Sequence, residues 1–421
     1  MQERKSFYLL APCLTDSLLT KDIGILPYLM QKYRGYKAVY VTYLPSGGEP
    51  LWPSLSSFEE EIELEYIEPS FSYHPDRAMD TIFGANLRDC SDDLVRYIGC
   101  NATKIDVLYL FGFYPFYYDA AAKYKELNPS GTIYLKLDAN IIWVNKTPMT
   151  DDFRRFLSHC DVISSETLAP YISDKWSVPV YHIPNGYYFF GKEPKLPVAF
   201  EEKSDYILTV GRLGIPEKAT HVLLEAFRMA EPYIPASWKL VLVGKIEDSF
   251  RPYLYSYMAN YPWLADRMIL TGFVQDKENL HQWYRKSKIF VLPSNVEAYA
   301  HVLAEAKIHG CYLLASDIAC CRDAATKQED RSIHLDDWNK QVNLHLAYGS
   351  LHAVGYSAGL AQRMIEICHA KDRLREASAG TQRDAAEHFD WVKYAADWMI
   401  CCGAAGRSER HIDFARLIWD N

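Results

Sequence analysis

The sequence predicts an α/β protein made of two doubly wound domains that face each other across a cleft. Three observations support this prediction. Strand-like apolar runs alternate with helix-length amphipathic stretches along most of the chain. Near the middle, residues 190–204 (FGKEPKLPVAFEEKS) are rich in proline and charge, the composition of a linker. After this segment the alternation begins again, and a chain of 421 residues suits two cores better than one.

The first domain is predicted over residues 1–190. Its expected strands are Phe7–Leu10, Ala38–Thr42, Val107–Phe111, Thr132–Leu137, Val162–Ser164 and Val180–Ile183. Helices are expected at Gly24–Tyr33 and Asp92–Ile98. A group of aromatic residues follows the third strand: Phe111, Phe113, Tyr114, Phe116, Tyr117 and Tyr118. These rings could stack on sugars, lie at a lipid interface, or pack in the core.

The second domain is predicted over residues 191–385. Its expected strands are Tyr206–Val210, Lys239–Val243, Met268–Leu270, Ile289–Leu292 and Tyr312–Ala315. The expected helices are Ala219–Met229, a tyrosine-rich helix after the second strand, Asn279–Lys286 and Ala300–His309. Two α/β domains with a cleft between them suit an enzyme that holds one substrate on each side.

Composition narrows the possible classes of function. A hydrophobic share of 49% and a charged share of 24% describe a globular protein. The net charge of −9 argues against a nucleic-acid binder that relies on a global positive field. A local basic patch, formed by Lys32, Arg34 and Lys37, could still touch an anionic membrane surface.

The pattern of cysteines and the lack of a recognisable targeting signal in this sequence predict a cytoplasmic protein. The ten cysteines include no Cys-x-x-Cys pair and are expected to be reduced thiols. The first apolar run is too short for a signal peptide, and no run of about 18 apolar residues is present. We therefore expect a cytoplasmic protein, with peripheral contact at the inner face of the membrane as an open possibility.

The segment from Val291 to Gly310 carries the main chemical signal. It predicts a buried strand, a loop, and a helix that begins near Ala300 and stops at a glycine. Ligands of open α/β sheets bind beyond the carboxyl ends of the strands, and a helix N-terminus there offers N–H groups to a diphosphate. Glu297 could reach a sugar hydroxyl from the loop, and Glu305 could accept hydrogen bonds from a ribose diol.

This segment resembles the signature of the retaining glycosyltransferases of family 4, which have the GT-B fold of two Rossmann-like domains. The two glutamates are separated by seven residues and follow a strand that ends in Pro-Ser. The second glutamate begins the sequence Glu-Ala-x-x-x-Gly. Further segments are similar to the family in the same order: Ile183-Pro-Asn-Gly186, Val210-Gly-Arg-Leu213 with Glu217-Lys218, and Leu270-Thr-Gly-Phe-Val274. The resemblance covers about residues 160–320, and the first 130 or so agree only in general layout.

The resemblance implies transfer of a sugar from a nucleoside diphosphate sugar, with UDP the expected nucleotide, to a hydroxyl acceptor with retention at the anomeric carbon. The acceptor would be a glycan, glycolipid or glycoprotein in surface polysaccharide or related assembly. Nucleotide binding falls to the second domain and acceptor binding to the first. A terminal helix, at about residues 386–421, is expected to pack back on the first domain. No cofactor and no metal are expected, and the sequence contains no Asp-x-Asp metal motif.

Position by position, the resemblance assigns donor binding to Gly24, Arg212, Lys218, Gly272, Val274, Glu297, Ala300, His301, Val302 and Glu305. Arg212 and Lys218 would neutralise the departing diphosphate, so that electrostatics activates the leaving group. Gly272 and Val274 would lie against the nucleobase through their backbone. The catalytic candidates are Asp138, Arg212, Lys218 and Glu297, with Asp138 stabilising the oxocarbenium charge or orienting the acceptor hydroxyl.

Each assignment has a structural alternative. Arg212 and Lys218 could be solvated surface charges, Glu305 an exposed helix glutamate, and Glu297 a helix-capping carboxylate. Gly24 could simply start a helix, and Asp138 could cap the next turn.

The chain also departs from the family pattern. Ala219 and Ala300 stand where the family has glycine, and we expect negative φ at both because alanine has a β-carbon. His301 replaces an apolar residue and could donate to a phosphate or bond to backbone.

Two rival functions remain open at this stage. The first is a catalytically silent GT-B partner that binds sugars for a sister transferase, which the two alanine substitutions favour. The second is a nucleotide-sugar epimerase or hydrolase on the same fold. Retention of Arg212, Lys218 and both glutamates argues against the silent partner.

Overall fold

A computed structural model describes residues 4–45, 60–190, 196–327 and 345–392, together with residues 52, 55, 56 and 58. These described residues form two compact units. The first unit contains residues 4–190 and Trp391, and the second contains residues 196–390. Each unit is built around its own parallel β-sheet.

The sheet of the first unit has seven strands among the described residues. They are β1 Ser6–Leu10, β2 Lys37–Tyr43, β3 Glu63–Ile67, β4 Val107–Phe111, β5 Thr132–Lys136, β6 Val162–Ser165 and β7 Tyr181–His182. Their order across the sheet is β3-β2-β1-β4-β5-β6-β7, and every pairing is parallel. The order reverses between β1 and β4, which makes this pair the topological switch point of the sheet.

The sheet of the second unit has six strands among the described residues. They are β8 Ser204–Val210, β9 Lys239–Val243, β10 Met268–Gly272, β11 Ser287–Leu292, β12 Tyr312–Ser316 and β13 Gly349–His352. The order is β10-β9-β8-β11-β12-β13, again with parallel pairing throughout. This sheet repeats the pattern of the first, and its switch point lies between β8 and β11.

The strands read as continuous apolar runs because both faces of each sheet are covered. Along β9, Leu240 and Leu242 belong to one hydrophobic cluster, whereas Val241 and Val243 belong to another. In β1 all five residues are buried. Burial on both faces is the expected environment of parallel sheets, and it explains why alternation of polar and apolar residues is absent.

Helices connect the strands in both units. In the first unit they are α1 Asp16–Leu19, α2 Asp22–Arg34, α3 Ala78–Thr81, α4 Leu87–Asn101, α5 Tyr118–Leu127, α6 Ile141–Lys146, α7 Asp151–His159 and α8 Ala169–Trp176. In the second unit they are α9 Thr220–Ala230, α10 Arg251–Asn260, α11 Lys277–Lys286, α12 His301–Ile308, α13 Ala319–Ala325, α14 Ser357–Cys368 and α15 Lys371–His388. A π-helical turn, Ile82–Asn86, separates α3 from α4.

Several helix ends follow from the local sequence. The Thr150 hydroxyl accepts a hydrogen bond from the Phe153 N–H at 3.2 Å, and the Asp276 carboxylate accepts one from the Asn279 N–H at 2.8 Å. Gly310 has a left-handed φ of 73°, and its N–H donates to the Lys307 carbonyl, which ends the α12 segment as predicted.

The predicted linker was too long. Val198 and Phe200 are buried, and Ser204 is the first residue of β8, so residues 196–204 belong to the second unit. Residues 191–195 lie outside the described residues. The predicted terminal helix, at about residues 386–421, lies mostly outside the described residues, which end at residue 392. Within the described part, residues 386–388 are the last turn of α15, and Trp391 packs in the core of the first unit.

The proposed basic patch is partly neutralised. Lys37 forms an ion pair with Glu63 at 2.7 Å, and the Lys32 ammonium donates to the Tyr188 hydroxyl at 3.1 Å. Membrane contact through Lys32, Arg34 and Lys37 therefore stays a prediction. Among the described residues, no helix has the length and apolar character needed to cross a membrane.

Candidate functional site

A small cavity marks the switch point of the second unit. It holds about 10 Å³, roughly the space of one water molecule, and opens at the carboxyl ends of β8 and β11. The polar and backbone groups of its wall come from Gly211, Arg212, Lys218, Thr220 and Ser294. The fold thus brings the two predicted diphosphate cations, Arg212 and Lys218, to one place. Open α/β sheets bind ligands at this edge.

Glycines end three neighbouring strands at this edge and remove side chains from it. Gly211 N–H donates to the Val243 carbonyl at 3.0 Å, and Gly244 N–H donates to the Gly272 carbonyl at 2.9 Å. A β-carbon on Gly244 would lie 1.8 Å from the Gly211 oxygen, which no packing adjustment could relieve. The loops after β8 and β9 therefore approach closely only because Gly244 lacks a side chain.

Asn295 connects the loop after β8 to the loop after β11. Its backbone N–H donates to the Glu217 carbonyl at 2.7 Å, and its side-chain amide donates to the Pro216 carbonyl at 2.8 Å. These bonds hold the loop after β11 against the turn that carries Lys218. Sequence patterns did not single out Asn295, because a lone asparagine in a loop has many ordinary explanations.

Lys218 and Glu297 form an ion pair across these two loops. The side chains are 26% and 12% exposed, so the pair is shielded from bulk water without being fully buried. Lys218 is therefore more than a solvated surface charge, and Glu297 has a partner other than the N-terminus of α12. Arg212, by contrast, is exposed and makes no ion pair with any described residue.

The backbone of Ala219 differs from the prediction. Its φ is +45°, the left-handed conformation that glycine adopts easily, whereas we expected a negative value. The residue lies between the short turn Pro216–Lys218 and α9, and its methyl group is fully buried in the core. Burial of the methyl group offsets the conformational cost. Ala300 does have the expected negative φ of −92°.

The start of α12 faces the same edge of the sheet. Ala300 is the residue before the helix, and His301 and Val302 are its first two residues. The N–H groups of a first helical turn have no partner within the helix, and they carry the positive end of the helix dipole. No acidic residue occupies this first turn, so the positive end is not neutralised locally. The His301 ring packs against Tyr299, with 5.6 Å between ring centroids.

Glu305 lies one turn further along α12 and is held by a buried tyrosine. The Tyr284 hydroxyl donates to Glu305 Oε2 at 2.8 Å, and the Tyr284 side chain is fully buried. Burial and the nearby carboxylate raise the pKa of Tyr284 well above its usual value, so it remains a donor. This contact fixes one carboxylate oxygen of Glu305. Glu305 is thus not a plain exposed helix glutamate.

Two further residues near this edge of the sheet have unusual environments. The Ser294 hydroxyl is fully buried beside the cavity and has no hydrogen-bond partner among the described residues. Such a group usually marks a place where water or a ligand bonds. Phe273 stands between the predicted nucleobase contacts Gly272 and Val274 and is 72% exposed. Gly272 has a φ of 71° and open space where a β-carbon would stand.

The remaining candidates, Gly24 and Asp138, belong to the first unit. Gly24 lies within α2, where a β-carbon would come within 2.4 Å of the Leu19 carbonyl oxygen. Close packing of α1 on α2 therefore explains this glycine without a ligand, and its donor role stays a prediction. Asp138 follows β5 with a left-handed φ of 45°. Asn140, not Asp138, caps the next helix by accepting from the Trp143 N–H.

Asp138 lies near a buried charged cluster at the carboxyl ends of β5 and β6. Lys136 pairs with Glu166 and lies 3.8 Å from Asp22, and all three side chains are buried. Burial raises the pKa of Asp138 well above its usual value, and the charges of Asp22 and Glu166 raise it further. Ionisation of Asp138 is therefore less favourable here than in an isolated aspartate, although the positive charges of Lys136 and Lys21 oppose the shift.

Comparison with known proteins agrees with this architecture. Residues 204–342 match the family described as "Glycosyl transferases group 1". Sucrose-phosphate synthase from Thermosynechococcus elongatus has a similar structure, with a TM-score of 0.69, 14% identity, and coverage of 96% of this chain and 100% of that one. The chain has the GT-B fold. The predicted fold class is therefore confirmed.

Two other structures show the same similarity. A glycosyltransferase from Rickettsia africae aligns with a TM-score of 0.67 and 14% identity over 97% of this chain and 100% of that one. HepE from Anabaena in complex with UDP-glucose aligns with a TM-score of 0.61 and 14% identity over 95% and 99%. No curated protein matches the chain by sequence. At this level of identity the structural matches establish the fold alone.

Proposed function

We propose that the chain is a glycosyltransferase that moves a sugar from a UDP-sugar to a hydroxyl acceptor, with retention at the anomeric carbon. One observation carries the proposal. Arg212 and Lys218 line the cavity at the switch point of the second unit, and Lys218 pairs with Glu297 from the loop that leads into α12. The group 1 match over residues 204–342 supports the donor class, as does the UDP-glucose bound to the similar HepE structure.

The charges at this edge suit a departing diphosphate. Arg212 and Lys218 provide two cations, and the first turn of α12 adds N–H donors and a positive dipole end. Negative charge builds on the nucleoside diphosphate as the bond to the sugar breaks. Fixed positive groups stabilise that charge more in the transition state than in the bound donor, which is what lowers the barrier. In this proposal the side chains activate the leaving group without a metal ion.

The Lys218–Glu297 ion pair gives Glu297 two tasks. It holds the Lys218 ammonium at the cavity, and it keeps a carboxylate near the position of the transferred sugar, where it can accept from a sugar hydroxyl. A bound diphosphate competes with Glu297 for Lys218. We therefore propose that donor binding loosens the ion pair and frees Glu297 for the sugar.

The far end of the donor would lie along α12 and β10. Glu305, oriented by Tyr284, would accept from the ribose hydroxyls, and the backbone of Gly272 and Val274 would contact the base. In the first unit, a raised pKa weakens the case for Asp138 as a fixed negative charge that stabilises the oxocarbenium ion. It favours the other predicted role, which is to orient the acceptor hydroxyl by a hydrogen bond.

A panel of UDP- and GDP-sugars, scored by release of the nucleotide, tests this proposal. One UDP-sugar should be turned over, with Lys218→Ala and Glu305→Ala each slowing turnover about 100-fold or more while the variants stay folded. Normal turnover by both variants would contradict the assignment of the site. Nucleotide release without an added acceptor would instead favour the hydrolase, and failure to bind any nucleotide would favour the silent partner.

A further inference from the structure

The first unit contains a second cavity, which the donor site does not use. It holds about 370 Å³, within the usual range of ligand pockets. Its wall includes Ala11, Pro12 and Cys13, which follow β1, and Phe111, the last residue of β4. The cavity therefore lies at the switch point of the first sheet, where open α/β sheets bind ligands.

The wall of this cavity is mostly apolar. Leu18 and Ile23 contribute from α1 and α2, and Tyr114, Phe116 and Tyr117 contribute from the segment after β4. The Tyr117 hydroxyl already donates to the Leu10 carbonyl at 3.0 Å, so this residue presents its ring rather than its oxygen. A pocket for a bare sugar would need many more hydrogen-bonding side chains, because every sugar hydroxyl that loses water needs a partner.

The apolar surface continues outward from the wall to an exposed rim. Met79 lines the cavity and is 39% exposed, and Phe83 is 42% exposed. The Phe83 ring lies 5.8 Å from Tyr114 and 5.9 Å from Phe116, so it extends the aromatic wall. Phe83 belongs to the π-helical turn Ile82–Asn86, a distortion found often at functional sites.

Polar groups are confined to a few positions. Asp138 lines the cavity, and no hydrogen bond or ion pair to a described residue engages its carboxyl. Its left-handed φ of 45° is uncommon for a residue with a β-carbon, although aspartate adopts it more often than most, and such conformations cluster at functional positions. Arg77 and Asp80 also line the cavity and carry opposite charges. The charges do not favour a strongly anionic ligand, because the one lysine or arginine among the described residues of the wall, Arg77, is balanced by Asp80.

We propose that this cavity binds the acceptor of the transfer reaction, and that the acceptor is a neutral amphiphile: a glycoside with an apolar aglycone. The aglycone lies against Met79, Phe83 and the aromatic wall, and a hydroxyl of the sugar reaches Asp138. The acceptor role rests on the proposed function, but binding of the amphiphile requires neither the donor nor turnover.

Binding of alkyl glycosides to the full chain tests the inference. Hexyl and methyl β-D-glucosides, and the corresponding galactosides, share a sugar and differ only in the length of the alkyl group. Their affinities are measured by ligand-observed NMR, below the micelle-forming concentration. Each buried methylene strengthens binding roughly fourfold, so burial of two or more predicts at least a tenfold preference for the hexyl compound.

Matched variants locate the binding. Met79→Ser/Phe83→Ser removes exposed apolar groups from the rim and should abolish the hexyl preference. Tyr255→Ser/Trp263→Ser removes two aromatic groups that are more exposed, 67% and 57%, from the second unit and should leave the preference intact. Equal affinity for hexyl and methyl glycosides, or equal loss in both double variants, would overturn the inference.

A titration with UDP on the same preparations separates this inference from the proposed function. Binding of UDP without the hexyl preference contradicts the amphiphilic acceptor alone. A hexyl preference that maps to Met79 and Phe83 in a protein that does not bind UDP supports the pocket and contradicts the transferase.

Discussion

Replacing Tyr284 by phenylalanine removes one hydroxyl from the second unit and keeps the ring. That hydroxyl donates to Glu305 Oε2 at 2.8 Å from a fully buried position. Without it, the Glu305 side chain regains rotational freedom, and nucleotide binding has to immobilise it. Immobilising a side chain of this kind costs about 0.5–1.5 kcal/mol. A cost of about 1 kcal/mol corresponds to a roughly fivefold higher Kd for UDP.

Isothermal titration with UDP measures this change, and Tyr257→Phe is its matched control. Tyr257 is also a buried tyrosine of the second unit, and its hydroxyl donates to the Leu224 carbonyl at 2.7 Å. Both variants lose a buried hydrogen bond, worth about 1 kcal/mol of stability, but only Tyr284→Phe should weaken UDP binding. The reasoning is refuted if Tyr284→Phe binds UDP within twofold of the unaltered chain, or if Tyr257→Phe weakens it equally.

Three further predictions concern one ion pair and two groups whose pKa values are shifted. Lys218→Ala should lower the thermal stability as well as turnover, because it leaves Glu297 without its cation; Lys218→Ala/Glu297→Gln should recover the stability but not the turnover, and recovery of both would contradict the role of Lys218. Asp138→Asn should stabilise the protein at pH 8 more than at pH 4, since a raised folded pKa means that stability falls as pH rises through the normal aspartate range; denaturant melts that show no such difference would contradict it. Burial lowers the pKa of His309 to about 3, so its contribution to stability is present above pH 6.5 and is lost as pH falls, by up to about 1.4 kcal/mol per pH unit. His309→Gln should make the free energy of unfolding depend less on pH between pH 6.5 and pH 4.5, and denaturant melts that show the same dependence would contradict this.

Much of the fold follows from hydrophobic runs alone. The predicted strands Val107–Phe111 and Lys239–Val243 have the observed bounds, because both are buried on two faces and carry no polar residue inside. The strands β3 and β13 were not predicted. β3 (ELEYI) has glutamates at alternating positions and lies at the edge of its sheet, where water reaches part of it, and β13 contains a glycine and a histidine. Local pattern is weak where burial is incomplete or where the strand is short.

The sequence predicted which residues belong to the candidate site but not the contacts that position them. Arg212, Lys218, Glu297 and Glu305 could be selected from sequence because their spacing resembles a family pattern. The contacts that position them could not. Tyr284 reads as an ordinary core tyrosine, and its hydrogen bond to Glu305 depends on how α11 packs beside α12.

The backbone conformations of two residues could not be predicted from the sequence either. Left-handed conformations at Ala219 and Asp138 were not foreseen, since alanine seldom adopts them and aspartate, which adopts them more often, does so at only a small share of its positions. Each is held by tertiary surroundings that a local pattern does not contain. The cavity beside Asp138 likewise becomes visible only when β1, β4 and β5 are side by side.

The most direct test of the central claim is a calorimetric titration of the full chain with UDP, alongside Arg212→Ala/Lys218→Ala. The account predicts one UDP bound per chain and a Kd at least 100-fold higher for the double variant, because two cations that face the diphosphate are lost. Binding that is equally tight in the double variant, or no binding of UDP to the unaltered chain, would contradict the placement of the donor at the switch point of the second unit.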